Sequence, residues 1–143
     1  MPDELQVEIR TEQDLVTARM HGRDLATDLG FSKIDATLIA TAISEIARNI
    51  IVHAGKGTIT ISSIEDADRC GLAIVAEDFG PGIPDVEEVV RHGQGVPGLG
   101  LPGARRLMDE FDIASRMGEG TTVTMKKWRR RDELERLYEK RQR

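Results

Sequence analysis

Glu45, Asn49 and His53 recur at i, i+4 and i+8 within SEIARNIIVH, so a helix there carries all three on one face. A carboxylate and an amide one turn apart can hold hydrated Mg²⁺. They can also divide the work, one holding metal while the other acts as base. The same stripe also suits a plain solvated helix face. Asp78 closes a β-branched run and opens DFGPGI, a carboxylate followed closely by two glycines. Beyond it, residues 80–103 hold seven of the fourteen glycines and four of the five prolines. Glycines let backbone N–H groups approach phosphate, and a helix N-terminus just after Gly100 adds partial positive charge. A glycine loop without a ligand has the same composition.

Two phosphate-binding motifs are excluded by their context. Gly93–Gly98 and Gly98–Gly103 each fit G-x-G-x-x-G, but a dinucleotide fingerprint needs a strand immediately before it. The stretch DVEEVVRH before them reads as helix or loop. HAGKGT at 53–58 has Gly57 after Lys56, where a P-loop requires Ser or Thr.

The elements that must position these residues follow from periodicity and punctuation. Leu5–Arg10 alternates as a strand, and Thr11 caps a helix that runs to about Asp28 and stops at Gly30. Ser32 caps a second helix, Lys33 to His53, with Ile39, Ile43, Ile46 and Ile50 as its core stripe. Gly57–Ile64 and Gly71–Phe79 predict an antiparallel pair around EDADRC. A short helix is expected at 85–92. Pro102 suits the first turn of another, over Gly103–Glu110. Strands at Phe111–Met117 and Thr121–Trp128 flank Gly118–Gly120, and a last helix spans about 130–142. The reading is α+β, a sheet with helices on one face.

Composition bounds the rest. A chain of 143 residues, 39% hydrophobic and 31% charged, is one soluble domain with a real core. The lone Cys70 excludes an internal disulfide and a four-cysteine zinc site. No apolar run approaches the roughly 18 residues of a membrane span, and the acidic start MPDE does not suit a signal peptide. A cytoplasmic protein is expected, with no membrane partner. From Lys126 onward the local balance is +5 and the body carries −10, which argues against a nucleic-acid-binding face.

Taken together, four motifs resemble the boxes of the GHKL ATPase/kinase superfamily in order and spacing. Glu45-xxx-Asn49 looks like the N box and Asp78-Phe-Gly80-Pro-Gly82 the G1 box. Gly98-Leu99-Gly100-Leu101 looks like the G2 box, and Gly118–Thr122 the G3 segment. SEIARNI, AGKG, AEDFGPGIPD and GLPGARRLMDEF further resemble the RsbT-type stressosome switch kinases. The resemblance spans about Gln6–Trp128 and implies a single-domain Bergerat-type sandwich with a mixed, mostly antiparallel sheet. It divides the chain into an ATP-binding kinase domain, 1–128, and a basic helical tail, 129–143.

By that resemblance Asp78 would accept from the adenine amino group while Gly80 and Gly82 let the chain pass under the base. Asn49 would coordinate the Mg²⁺ that bridges the phosphates of ATP, and Glu45 would orient the acceptor hydroxyl as general base. The segment 84–98 would be an ATP lid. Gly98, Leu99, Gly100 and Leu101 would wrap the phosphates, and Thr122 would reinforce the adenine pocket. Lys56, Arg48 and Arg91 are candidates to neutralise phosphate, and His53 has no firm role. The implied activity is a Ser/Thr protein kinase in partner switching. Its substrates would be STAS-domain stressosome proteins, and its downstream target an activator such as a phosphatase. The rival reading is an ATP-stabilised sequestering module without transfer.

Overall fold

The computed structural model describes residues 4–83, 86 and 101–130. Within them run β1 (Glu4–Ile9), α1 (Glu12–Asp28), α2 (Lys33–His53), β2 (Gly57–Asp66) and β3 (Arg69–Asp78). After a gap come α3 (Leu101–Leu107), β4 (Glu110–Arg116) and β5 (Gly120–Arg130). The strands form one sheet in the order β1-β2-β3-β5-β4, and every described pairing is antiparallel.

Local chemistry sets the helix starts. Thr11 and Asp14 form a reciprocal capping box at α1: Asp14 N donates to Thr11 Oγ1, and Thr11 N donates to Asp14 Oδ2. Arg10 N donates to the same carboxylate at 2.9 Å, and these backbone donors hold the Asp14 carboxyl below its ordinary value. Ser32 caps α2 by accepting from Asp35 N at 3.0 Å. Ile39, Ile43, Ile46 and Ile50 then lie at most 2% exposed, packed among Ile59, Ile61, Leu72, Ile74 and Met125 of the sheet. Truncating one such isoleucine to alanine costs about 2–5 kcal/mol, so this seam fixes α2 on the sheet.

Several boundaries differ from expectation. The β2–β3 ladder continues through Asp66↔Arg69, leaving only Ala67 and Asp68 as the turn. Ladder bonds are made by backbone, so the polar side chains of EDADRC do not stop them. The helix expected over Gly103–Glu110 instead occupies Leu101–Leu107, and Glu110 pairs with Lys126 in the sheet. Lys127 Nζ donates to the Leu107 carbonyl and Asp109 N donates to Lys126 O, which turns the chain into β4. Strand β5 runs through Arg130, so Arg129 and Arg130 are strand and not the start of a helix. The expected helices over 85–92 and 131–142 fall outside the described residues, Val86 excepted.

Candidate active site

Asp78 ends β3 with 9% of its surface exposed. Its Oδ1 accepts from Gly80 N at 3.0 Å, which turns the chain into the Phe79–Ile83 loop. That loop is pinned to the β4–β5 turn: Gly118 N donates to Pro81 O at 2.9 Å, and Ile83 N donates to Ser115 Oγ at 2.7 Å. Gly82 sits at φ +84, and a Cβ there would fall 2.5 Å from Arg116 O. Gly120 sits at φ +114, with Asp78 O 2.1 Å from where its Cβ would be. Both positions therefore require glycine on two counts, conformation and contact.

A cleft of about 480 Å³ opens here, lined by Asp78, Val86, Ile113, Ser115 and Thr121 among others. The volume lies in the range of small-molecule sites, and the lining combines apolar side chains with a few polar ones. The last turns of α2 lie against the same end of the sheet. A Cβ on Gly57 would touch Ile50 of α2 at 2.9 Å and Asp78 Cβ at 3.2 Å. Asn49, one residue before Ile50, is 4% exposed, and its Oδ1 has no hydrogen-bond partner. A solvated helix face does not bury an amide this way. An unpaired buried acceptor costs about 1–3 kcal/mol, so it calls for a donor or a cation brought by a ligand.

Glu45, one turn earlier on the same helix face, is half-buried and 3.7 Å from Arg48 Nη1. At that distance the ion pair is weak, and Arg48 stands beside the carboxylate. His53 closes α2 and is half-buried. Lys56 is exposed and lines a separate cleft of about 260 Å³ with Glu8, Thr58 and Phe79. The structure therefore does not bring Lys56 into the cleft of Asp78. Leu101 opens α3 with its side chain wholly buried, so only its backbone could face a ligand. Gly98, Leu99, Gly100 and Arg91 lie outside the described residues.

Thr122 pairs with Glu77, on the sheet face opposite Asp78, and is among the residues lining the same cleft. The hydroxyl across from Asp78 belongs to Thr121, which is 5% exposed. Counting the strand alternation back from Met125, a core position, would have selected Thr121.

A buried carboxylate lining a cleft, a loop held close to the β4–β5 turn by two required glycines, and a buried amide oxygen without a partner fit a nucleotide with its metal ion. The chain belongs to the histidine kinase-like ATPase domain family, which it matches over residues 9–127. It is similar to the serine/threonine-protein kinase RsbT of Bacillus subtilis (strain 168), at 51% identity over 133 residues, covering 91% of this chain and all of that one. It is also similar to an anti-sigma F factor of Geobacillus stearothermophilus, at 30% identity, covering 86% of this chain and 89% of that one. Among solved structures, a blue-light activated histidine kinase domain from Erythrobacter litoralis shares the fold. Its TM-score is 0.52 at 20% identity, covering 80% of this chain and 58% of that one. Among the described residues no helix is long and apolar enough to cross a membrane.

Proposed function

We propose that this chain transfers the γ-phosphoryl group of Mg²⁺-bound ATP to a serine or threonine of a STAS-domain partner in a stress-signalling switch. It is a serine/threonine protein kinase of the partner-switching kind. The observation that carries the nucleotide site is the buried, unpartnered Oδ1 of Asn49, one residue from the Ile50 that packs at the Asp78 end of the sheet. Asn49 would hold the metal ion, which when bound neutralises phosphate charge. Asp78 would accept from the adenine amino group through the oxygen that Gly80 leaves open. Glu45 would orient the acceptor hydroxyl, a positioning task, since phosphoryl transfer depends mainly on geometry and charge. Backbone donors of residues 98–101 would wrap the phosphates, and Arg48, 3.7 Å from Glu45, would help neutralise their charge. The partners would be STAS-domain substrates and a downstream activator, all in the cytoplasm.

The test is transfer from labelled ATP to a candidate STAS partner. Glu45→Ala should bind ATP like the parent and lose transfer on the order of 100-fold or more. Equal transfer rates in the two proteins would refute the role of Glu45 and favour a module that only sequesters its partner.

A further inference from the structure

The pairs Ile9↔Gly57 and Gly57↔Asp78 mark one end of the sheet, and Glu4↔Ser62 lies toward the other. A cleft of about 340 Å³ opens toward that second end, lined by Glu4, Leu5, Asp24, Leu25, Asp28 and Ile61 among others. Its apolar members are Ile61, which is buried, Leu25, half-buried, and Leu5, 37% exposed. Glu4, Asp24 and Asp28 are exposed carboxylates. Asp24 and Asp28 stand one turn apart near the C-terminus of α1, where the helix dipole is already negative, and α1 has no basic residue in its last turn. This end of α1 calls for cations from elsewhere.

Strand β5 brings one of them. Arg129 Nε donates at 2.7 Å to the carbonyl of Leu29, the residue after Asp28, and the strand ends one residue later at Arg130. The chain therefore leaves the sheet beside the cleft. Residues 131–143, RDELERLYEKRQR, lie outside the described residues. At helical spacing Arg131, Leu134, Tyr138 and Arg141 fall at i, i+3, i+7 and i+10, one stripe with Leu137 beside it. Asp132 and Glu139 fall opposite, and Glu133 and Glu135 on the flanks. The stripe is thus an apolar seam with an arginine at each end and no carboxylate. The cleft is its complement, apolar side chains among carboxylates. A helix this short is marginal alone in water and spans about 20 Å, enough to cross a cleft between one helix and two strands.

We propose that residues 131–143 pack as a helix into this cleft of their own chain. Leu134, Leu137 and Tyr138 cover Leu5 and Leu25, and Arg131 and Arg141 stand among Glu4, Asp24 and Asp28. The docking leaves the Asp78 end of the sheet untouched and does not depend on what that end binds.

The experiment compares methyl NMR spectra of the full chain, a chain ending at Arg130 and full-length Leu137→Asp, each at two protein concentrations. Removing the tail should shift the methyl signals of Leu5, Leu25 and Ile61 and leave that of Ile113, in the Asp78 cleft, in place. Leu137→Asp should reproduce those shifts. Removal should also lower the unfolding temperature by roughly 5 °C at low salt, and by about half as much at about 0.5 M salt, where the charge contribution is screened. In Asp24→Asn/Asp28→Asn the same removal should cost about half as much even at low salt. Unchanged methyl signals at Leu5, Leu25 and Ile61 overturn the proposal whatever the unfolding temperature does, since the tail then belongs on another surface or on a partner protein. Shifts that vanish on dilution overturn it as well and assign the cleft to the tail of a second copy. Should the shortened chain not fold, Leu137→Asp decides by the same signals.

Discussion

Replacing Gly120 with alanine should break the site and the sheet together. A methyl there would lie 2.1 Å from the Asp78 carbonyl oxygen and 2.8 Å from Phe79 Cα. Both obstacles are backbone, so no side-chain rotation relieves them. Ordinary contact begins at 3.4 Å, so β3 must withdraw from β5 by more than about 1 Å at the Asp78↔Thr121 pair. The left-handed φ adds about 1–2 kcal/mol for any L side chain. Overpacking of this kind costs a further 1–3 kcal/mol or so. Together these give about 3 kcal/mol, or roughly a 10 °C drop in unfolding temperature for a domain of this size. Gly118→Ala is the internal control. Gly118 also has positive φ, +77, but a Cβ there meets nothing within 4 Å. It should lose only the conformational part, about 1 kcal/mol and roughly 3–4 °C. Thermal unfolding with and without Mg-ADP reads both effects. Gly118→Ala should keep the shift that ADP induces, and Gly120→Ala should lose most of it. Equal drops for the two variants would show that the collision with Asp78 does not govern this corner.

Three further outcomes follow from the same geometry. Asn49→Leu should hold or raise stability without nucleotide by about 1 kcal/mol, because it removes a buried acceptor that has no partner, while abolishing the Mg²⁺-dependent part of ADP binding. A lower unfolding temperature without ligand would contradict this. Asp14→Asn should flatten the acid limb of the stability profile. The folded-state value of the Asp14 carboxyl is depressed by the Arg10 and Thr11 N–H groups, so its contribution is present above the ordinary aspartate value near 3.8 and is lost as pH falls through the lower, folded-state value. Unfolding measured from pH 6 downward, over roughly three pH units, checks it, and superimposable profiles would refute it. A chain ending at Arg130 is the reference. One ending at Trp128 should lose about 1–2 kcal/mol, because Arg129 Nε donates to the Leu29 carbonyl beyond α1 at 2.7 Å. Equal urea midpoints for the two truncations would remove Arg129 from the core.

The family match ends at residue 127, yet the sheet runs on through Arg130. Trp128 itself is tied down from two sides, its N–H donating to Asp109 Oδ2 at 2.7 Å and its ring lying 4.0 Å under the Arg69 guanidinium. Arg129 on the next position reaches the opposite face and the end of α1. The strand end is therefore held by the C-cap of α1, β3 and the start of β4 at once.

Much of this protein was legible in the order of its residues. The capping pairs Thr11–Asp14 and Ser32–Asp35, the four isoleucines of α2 and the paired β-branched runs are local signals, and local hydrogen bonds and hydrophobic period suffice to read them. The N-box spacing of Glu45 and Asn49 and the DFGPG turn were equally plain, because chemistry at fixed separation along one helix or one turn survives without tertiary knowledge. Burial and register were not legible. Whether Asn49 faced water or was buried depended on how α2 packs on the sheet, a contact between segments far apart in sequence. Which of Thr121 and Thr122 stands beside Asp78 depended on a cross-strand register that a slip of one residue would invert. Lys56 looked like a phosphate ligand beside a glycine and came to rest in another cleft, with Glu8, Thr58 and Phe79. Ser115 carried no signal at all in sequence. Its three hydrogen bonds exist only once β4 lies beside β5 and the Phe79–Ile83 loop folds back on them, and only the tertiary structure makes that meeting.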